Sequence, residues 1–553
     1  MKFSLFFAIL LTALLLNSCT ATAEEETAPP QIPAETESVP TDSAGNTVSA
    51  DIPAAGMLRI TEGGTHTITG TYDSMVVVSA GKADVTLVLD GADITASASD
   101  KAAIYIKNAG SVTVVLADGS ENRLTGSKGI HSEAALTLGG GGKLTVDASE
   151  GHGIIAKAAI TVADGNYVVT AANDGIHAEN EEDPALGTIH LTGGNLSVVA
   201  EGDGISATGC LQTDDESGTL QLLVSAGGGP ENAEPHRDEM GFGGPGFFGG
   251  WGQQNAAQSE DSADENAVTS HKALKSGGDM TLNGGMLTLS SSEDTIHTNA
   301  NLTVTDGAYH LAAGDDAVHA DLAMVIDGGL FQILESYEGI EAKTIDVNGG
   351  ELYVKASDDG FNASGGSTSG NRNPMAAEEG VYFTVSGGTV HINAEGDGLD
   401  SNGNFTVNGG TVYVSGPTAS MNGALDYGGN AEIHGGIVVA AGSSGMAESF
   451  GANSTQGAIM ISPGNQKAGS TVTLTDANGK ILVEYTPEKT YSNVVISCPE
   501  IVDGGTYTVT AGTYTTTVTM NGLRYGNGGG FGGGFGGMGG GRGPGGNNGG
   551  KRP

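Results

Sequence analysis

The sequence predicts an all-β protein: a right-handed parallel β-helix of coils about 22 residues long, with a β-rich C-terminal cap. Three observations predict it. Gly supplies 93 of 553 residues, more than twice the usual ~7%, and each Gly costs a helix ~1 kcal/mol relative to Ala. A Gly-ended turn recurs at a fixed interval: Gly285, Gly307, Gly329 and Gly350 are spaced by 22, 22 and 21 residues, and Gly388 and Gly410 by 22. A second motif keeps the same beat. It reads acid, small, apolar, polar in Asp294-Thr295-Ile296-His297, Asp316-Ala317-Val318-His319, Glu338-Gly339-Ile340-Glu341, Asp359-Gly360-Phe361-Asn362 and Asp397-Gly398-Leu399-Asp400. Earlier copies are Asp174-Gly175-Ile176-His177 and Asp203-Gly204-Ile205-Ser206.

Each coil holds about three short alternating runs, such as Met286 to Leu289, Thr295 to Thr298 and Leu302 to Thr305, punctuated by Gly, Asp or Asn. Identical coils place each strand over its equivalent, ~4.8 Å away. The apolar residue of the motif then enters a lumen that one coil alone is too small to bury. Collagen is excluded, because Gly does not recur every third residue. A propeller needs blades of about 40 residues.

In chain order, residues 1–18 form a lipoprotein signal peptide: Met1-Lys2, an apolar run from Phe3 to Leu16, then Asn17-Ser18 before Cys19, the expected lipidation site. Residues 19–56 are rich in Glu, Thr, Pro and Ala and read as a disordered tether. Residues 57–226 are the N-terminal coils and 270–442 the C-terminal coils. Between them, 227–269 is a Gly-, Phe- and acid-rich flexible insert. Residues 443–525 keep β runs without the beat and cap the open end, and 526–553 is a Gly-rich disordered tail. Cys210 and Cys498 are expected to be unpaired buried thiols.

The chemistry lies in charge. With 65 acids against 22 bases, the formal charge is −43. This excludes nucleic acid as a partner, and cations are the natural counterparts. Stacking sets the motif acids in a column, one coil apart, where carboxylates repel. Several are doubled, as in Asp315-Asp316 and Asp358-Asp359. Many hard oxygen donors favour Ca²⁺. The candidate metal ligands are Asp174, Asp203, Asp294, Asp315, Asp316, Asp358, Asp359 and Asp397. Beside them, outward columns carry His297, His319, Asn362 and Lys343 as candidate ligand-binding residues.

The chain resembles the calcium-binding β-helix carbohydrate-binding proteins of clostridia and relatives. The resemblance runs from His66-Thr67-Ile68-Thr69-Gly70-Thr71-Tyr72 through Val85 to Ala92, Ala103-Ile104-Tyr105-Ile106 and Glu121-Asn122-Arg123-Leu124 into the Asp-Gly coils, about residues 57 to 440. It implies calcium-dependent binding of acidic, pectin-like polysaccharide by an exported protein. With the lipidation site at Cys19, the expected role is non-catalytic capture by a lipid-anchored monomer on the outer face of the membrane. Bound Ca²⁺ accounts for capture of a polyanion by an acidic surface. Aromatic residues are 5% of the chain and the sole Trp, Trp251, lies in the insert, which disfavours cellulose stacking. A polysaccharide lyase needs a base, and residues 285–440 hold only Lys343, Lys355 and Arg372 against 21 acids. A calcium-stiffened adhesin or scaffold is the third reading.

Overall fold

The computed structural model describes residues 57–97, 101–180, 182–235, 270–365 and 377–526. The signal peptide, Cys19, the tether, most of the insert and the tail lie outside them. The chain divides into two units: residues 1–358 with 386–390, and residues 359–385 with 391–553.

Alternating apolar residues with Gly-marked turns produce the expected coils in the first unit. One sheet stacks Leu58–Ile60, Val76–Ser79, Ala102–Asn108, Lys128–Ser132, Ile154–Ala156, Ile176–Ala178, Ile205–Ala207, Leu274–Ser276, Ile296–Thr298, Val318–Ile326 and Ile340–Val347, each pairing in parallel with the next. Register sets Leu274 against Ile296, Val318 and Ile340, one beat apart each time. Several coils are longer, among them those from Val76 to Ile104 and from Ile104 to Ile130. Ile176 pairs with Ile205 across a coil that carries a short 3-10 turn at Pro184–Leu186, and Ile205 pairs with Leu274 across the insert. Parallel pairing also joins the other two strand positions, as in Met280 with Leu302 and Leu287 with Tyr309.

Burial follows the alternation. Ile296 and Thr298 are fully buried while His297 between them is partly exposed. Tyr309 and Phe331 stack in the lumen at 4.4 Å. The recurring turn glycines, such as Gly329 and Gly350 with φ of +93° and +85°, occupy backbone that L side chains strain to adopt.

The second unit is built in the same way. Its strand Phe361–Ala363 pairs with Leu399–Ser401, and this with Leu425–Tyr427. Its lumen is an aromatic column of Phe361, Phe383, Phe405 and Phe450. The stack of coils ends at Ile437–Gly442, which meets Asn493–Ser497 antiparallel. Beyond it, Ile481–Tyr485, Val472–Asp476, Thr506–Ala511 and Tyr514–Thr519 form an antiparallel sheet. One core joins them, including Ile459, Val472, Leu474, Val494, Ile496 and Val509. The reversal gives the last parallel strand a partner, so no open edge is left there. Cys498 is a buried free thiol, and Cys210 is buried in the first unit.

Candidate functional site

The motif acids line one edge of the first sheet, two residues before each inward apolar side chain. They are not bare. Asp174, Asp203, Asp294 and Asp316 are all buried. One oxygen of an acid accepts a backbone N–H of the next coil: Asp174 from Asp203 at 2.8 Å, Asp203 from Lys272 at 2.8 Å, and Asp294 from Asp316 at 3.1 Å. In the second unit Asp359 accepts from Asp397, and Asp397 from Gly423.

The other oxygen meets a cationic or imidazole partner. Asp174 Oδ2 lies 2.7 Å from His177 Nδ1, and Asp203 Oδ2 lies 3.1 Å from Lys275 Nζ. Asp294 Oδ2 lies 2.7 Å from His297 Nδ1 and 3.5 Å from Lys272 Nζ. Asp316 Oδ2 lies 2.9 Å from His319 Nδ1. Neighbouring carboxylates are therefore reconciled by peptide dipoles and side-chain cations, partners that the acid spacing alone does not assign to them.

The column is also not acidic throughout. Leu274 pairs with Ile205 and Ile296, so the coil between Asp203 and Asp294 sets Lys272 in the acid position. That coil separates Asp203 from Asp294 in the stack. Lys272 Nζ also lies 2.6 Å from Glu293, the doubled acid of its neighbour. Counting back one beat from Asp294 reaches Lys272, so a signal existed in the sequence.

Electrostatics follow from these contacts. Burial opposes the charge of Asp294, yet His297, Lys272 and His319 hold its carboxyl well below the usual range. Burial, with Asp294, Glu338 and Glu341 around it, pushes Asp316 up despite His319. Burial disfavours charge on His319, but Asp316, Asp321 and Glu341 raise it strongly.

His297 and His319 stack at 4.9 Å, with ring planes 11° apart. Lys343 is half-buried where the pairing of Val318–Ile326 with Ile340–Val347 shifts register. Asn362 lies in the second unit, paired in register with Asp400. Asp315 and Asp358 are half-buried beside Asp316 and Asp359 in sequence. Among the described residues, two groups offer oxygen donors alone, each with its ligand atoms within 4.8 Å of one another: Asp294, Asp315 and Asp316, and, in the second unit, Asp397, Asp400 and Asp426. Asp426 escaped the motif because Gly423 replaces the acid of its own coil. It reaches the group through register, Asp400 pairing with Asp426. Burial raises the Asp426 carboxyl, and burial with Asp426 nearby pushes Glu448 up to about 7.

A parallel β-helix with a buried acid column and exposed polar columns defines the class. The profile of the carbohydrate-binding domain-containing proteins matches residues 55–128 and 125–317. A carbohydrate-binding domain-containing protein of Acetivibrio thermocellus is 32% identical over 209 residues, covering 31% of this chain and 71% of that protein. The chain belongs to this family. A solved structure of the polysaccharide lyase-like protein from C. thermocellum, a gadolinium derivative, is similar at 22% identity with a TM-score of 0.30, covering 48% of this chain and 86% of that one.

Proposed function

We propose that this protein binds acidic, pectin-like polysaccharide without cleaving it, depends on Ca²⁺ to do so, and is held on the outer face of the bacterial membrane through a lipid on Cys19. Family membership supports the carbohydrate class and agrees with a binding rather than catalytic role. The observation that carries the calcium reading is the convergence of Asp397, Asp400 and Asp426, three carboxylates with no imidazole in the set. Hard oxygens in number are what Ca²⁺ takes, and burial leaves the Asp426 charge disfavoured without an ion. Asp294, Asp315 and Asp316 form a second such set. Asp203 is already matched to Lys275, and Asp174 faces an imidazole rather than further oxygens, so neither suits Ca²⁺ as well.

When bound, Ca²⁺ supplies positive charge to which sugar carboxylates add as further oxygen ligands. The chain's own residues hold the carboxylates in place through N–H bonds such as Gly423 to Asp397, and offer polar side chains around them, Asn362 beside Asp400 among these. His297, His319 and Lys343 are the corresponding contacts on the first unit.

An acidic-glycan array probed with and without chelator tests the reading. Capture of polygalacturonate in calcium and its loss in chelator is the expected result, with no unsaturated uronide released. Release of that product makes the chain a lyase. A calcium-raised melting point with no glycan captured makes it a stiffened adhesin.

A further inference from the structure

One coil before Asp174 the ladder position is held by His152, since Ile154 pairs in register with Ile176. The His152 side chain is 7% exposed, and its ring stacks on His177 at 4.6 Å. Its Nδ1 lies 3.5 Å from Asp174 Oδ2, and His177 Nδ1 lies 2.7 Å from the same oxygen. Neither nitrogen is aligned to hydrogen-bond there, so both of these Nδ1 atoms are buried without a hydrogen-bond partner. A buried polar atom left unpaired costs about 1–3 kcal/mol. Two such atoms within 3.5 Å of one carboxylate oxygen call for a shared partner.

We propose that His152, Asp174 and His177 form a binding site for a first-row divalent transition metal, of which Zn²⁺ is the representative. This is separate from the calcium reading. Two imidazole nitrogens and one carboxylate oxygen form a borderline donor set that suits zinc and its neighbours rather than Ca²⁺. The three donors lie within 4.8 Å of one another. Ligands at zinc distances stand about 3.3 Å apart in a tetrahedron, so the 2.7 Å and 3.5 Å spacings need only small adjustment.

The surroundings are those of a supported site. Asp174 Oδ1 is fixed by the Asp203 N–H at 2.8 Å, which leaves Oδ2 directed at the rings. Behind His177, Nε2 faces Glu179 at 3.7 Å, and Glu179 is itself held by Lys157. A carboxylate behind a ligating histidine fixes its tautomer and raises its basicity. The Asp294, His297 and His319 set differs. There His297 Nδ1 makes a proper 2.7 Å hydrogen bond to Asp294, and Lys272 lies 3.5 Å from the same oxygen. The planes of His152 and His177 are 19° apart, so loading turns one ring out of the stack to aim both lone pairs at a single ion.

The test titrates the full chain, without an affinity tag, with Zn²⁺ alone by calorimetry in excess Ca²⁺, and records Co²⁺ visible absorption in parallel. The expected result is zinc uptake that calcium does not displace. His152→Asn and His177→Asn each weaken it at least tenfold and remove the cobalt bands, while His310→Asn changes neither. His152→Phe keeps the ring stack but has no ring nitrogen, so it should melt near the wild type yet lose the metal. Zinc affinity unchanged in His152→Phe overturns the proposal, as does a wild type that takes up no zinc in the presence of calcium.

Discussion

Asp294 ties three coils together. Its carboxylate takes the Asp316 N–H from one side, His297 from its own coil and Lys272 from the other. Removing one member of a buried charge group leaves the others uncompensated, at a cost of about 3–5 kcal/mol. Asp294→Ala should therefore lower the urea midpoint by that order. Asp294→Asn should lose less, because its amide oxygen still accepts the N–H. An alanine variant as stable as the wild type contradicts the ladder as described. A second residue-scale prediction concerns Cys498, whose thiol burial pushes up to about 11. Native protein at pH 8 should resist iodoacetamide at Cys498, and urea should expose it. Rapid native labelling counts against the buried cap core. The acids and their spacing were legible in the sequence. Their partners were not, because the Lys272 and Gly423 N–H donors come from coils one turn away in space but 69 and 26 residues away in sequence.

At the scale of the coil, two kinds of glycine serve different purposes. Gly350 provides a left-handed turn. Gly204, in the Asp-Gly motif, does not. A Cβ there would stand 2.1 Å from Val224 Cγ1 and 2.6 Å from the Ala273 carbonyl oxygen, so the glycine is needed for close approach of strand and side chain. Close packing, rather than a left-handed turn, is what requires glycine at this position. Gly204→Ala should destabilise by roughly 1–3 kcal/mol through overpacking, seen as a lower melting temperature. No change would mean that the coils have room to spare. The beat was legible wherever coils are uniform, as from Leu274 to Ile340. It was obscured where a coil swells, as between Ile176 and Ile205. The cap strands were visible as β runs, but their reversal was not. Antiparallel pairing of Asn493–Ser497 with Ile437–Gly442 joins segments about 50 residues apart, and alternation is the same for either direction.

For the whole chain, the formal charge of −43 is the dominant fact. Self-repulsion of that size destabilises a compact state and is screened by salt. Melting temperature should rise with sodium chloride, and millimolar calcium should raise it further at constant ionic strength. Equal effects of calcium and magnesium at matched ionic strength would leave only screening. Function, in this view, reduces to calcium held by protein carboxylates and capturing an anionic polymer. Calorimetry of polygalacturonate binding decides it, comparing the wild type with an Asp400→Asn/Asp426→Asn variant. Binding in calcium should weaken at least tenfold on chelation, and the folded variant should bind in calcium no better than the chelated wild type. Wild-type affinity that survives chelation unchanged would refute calcium-mediated capture.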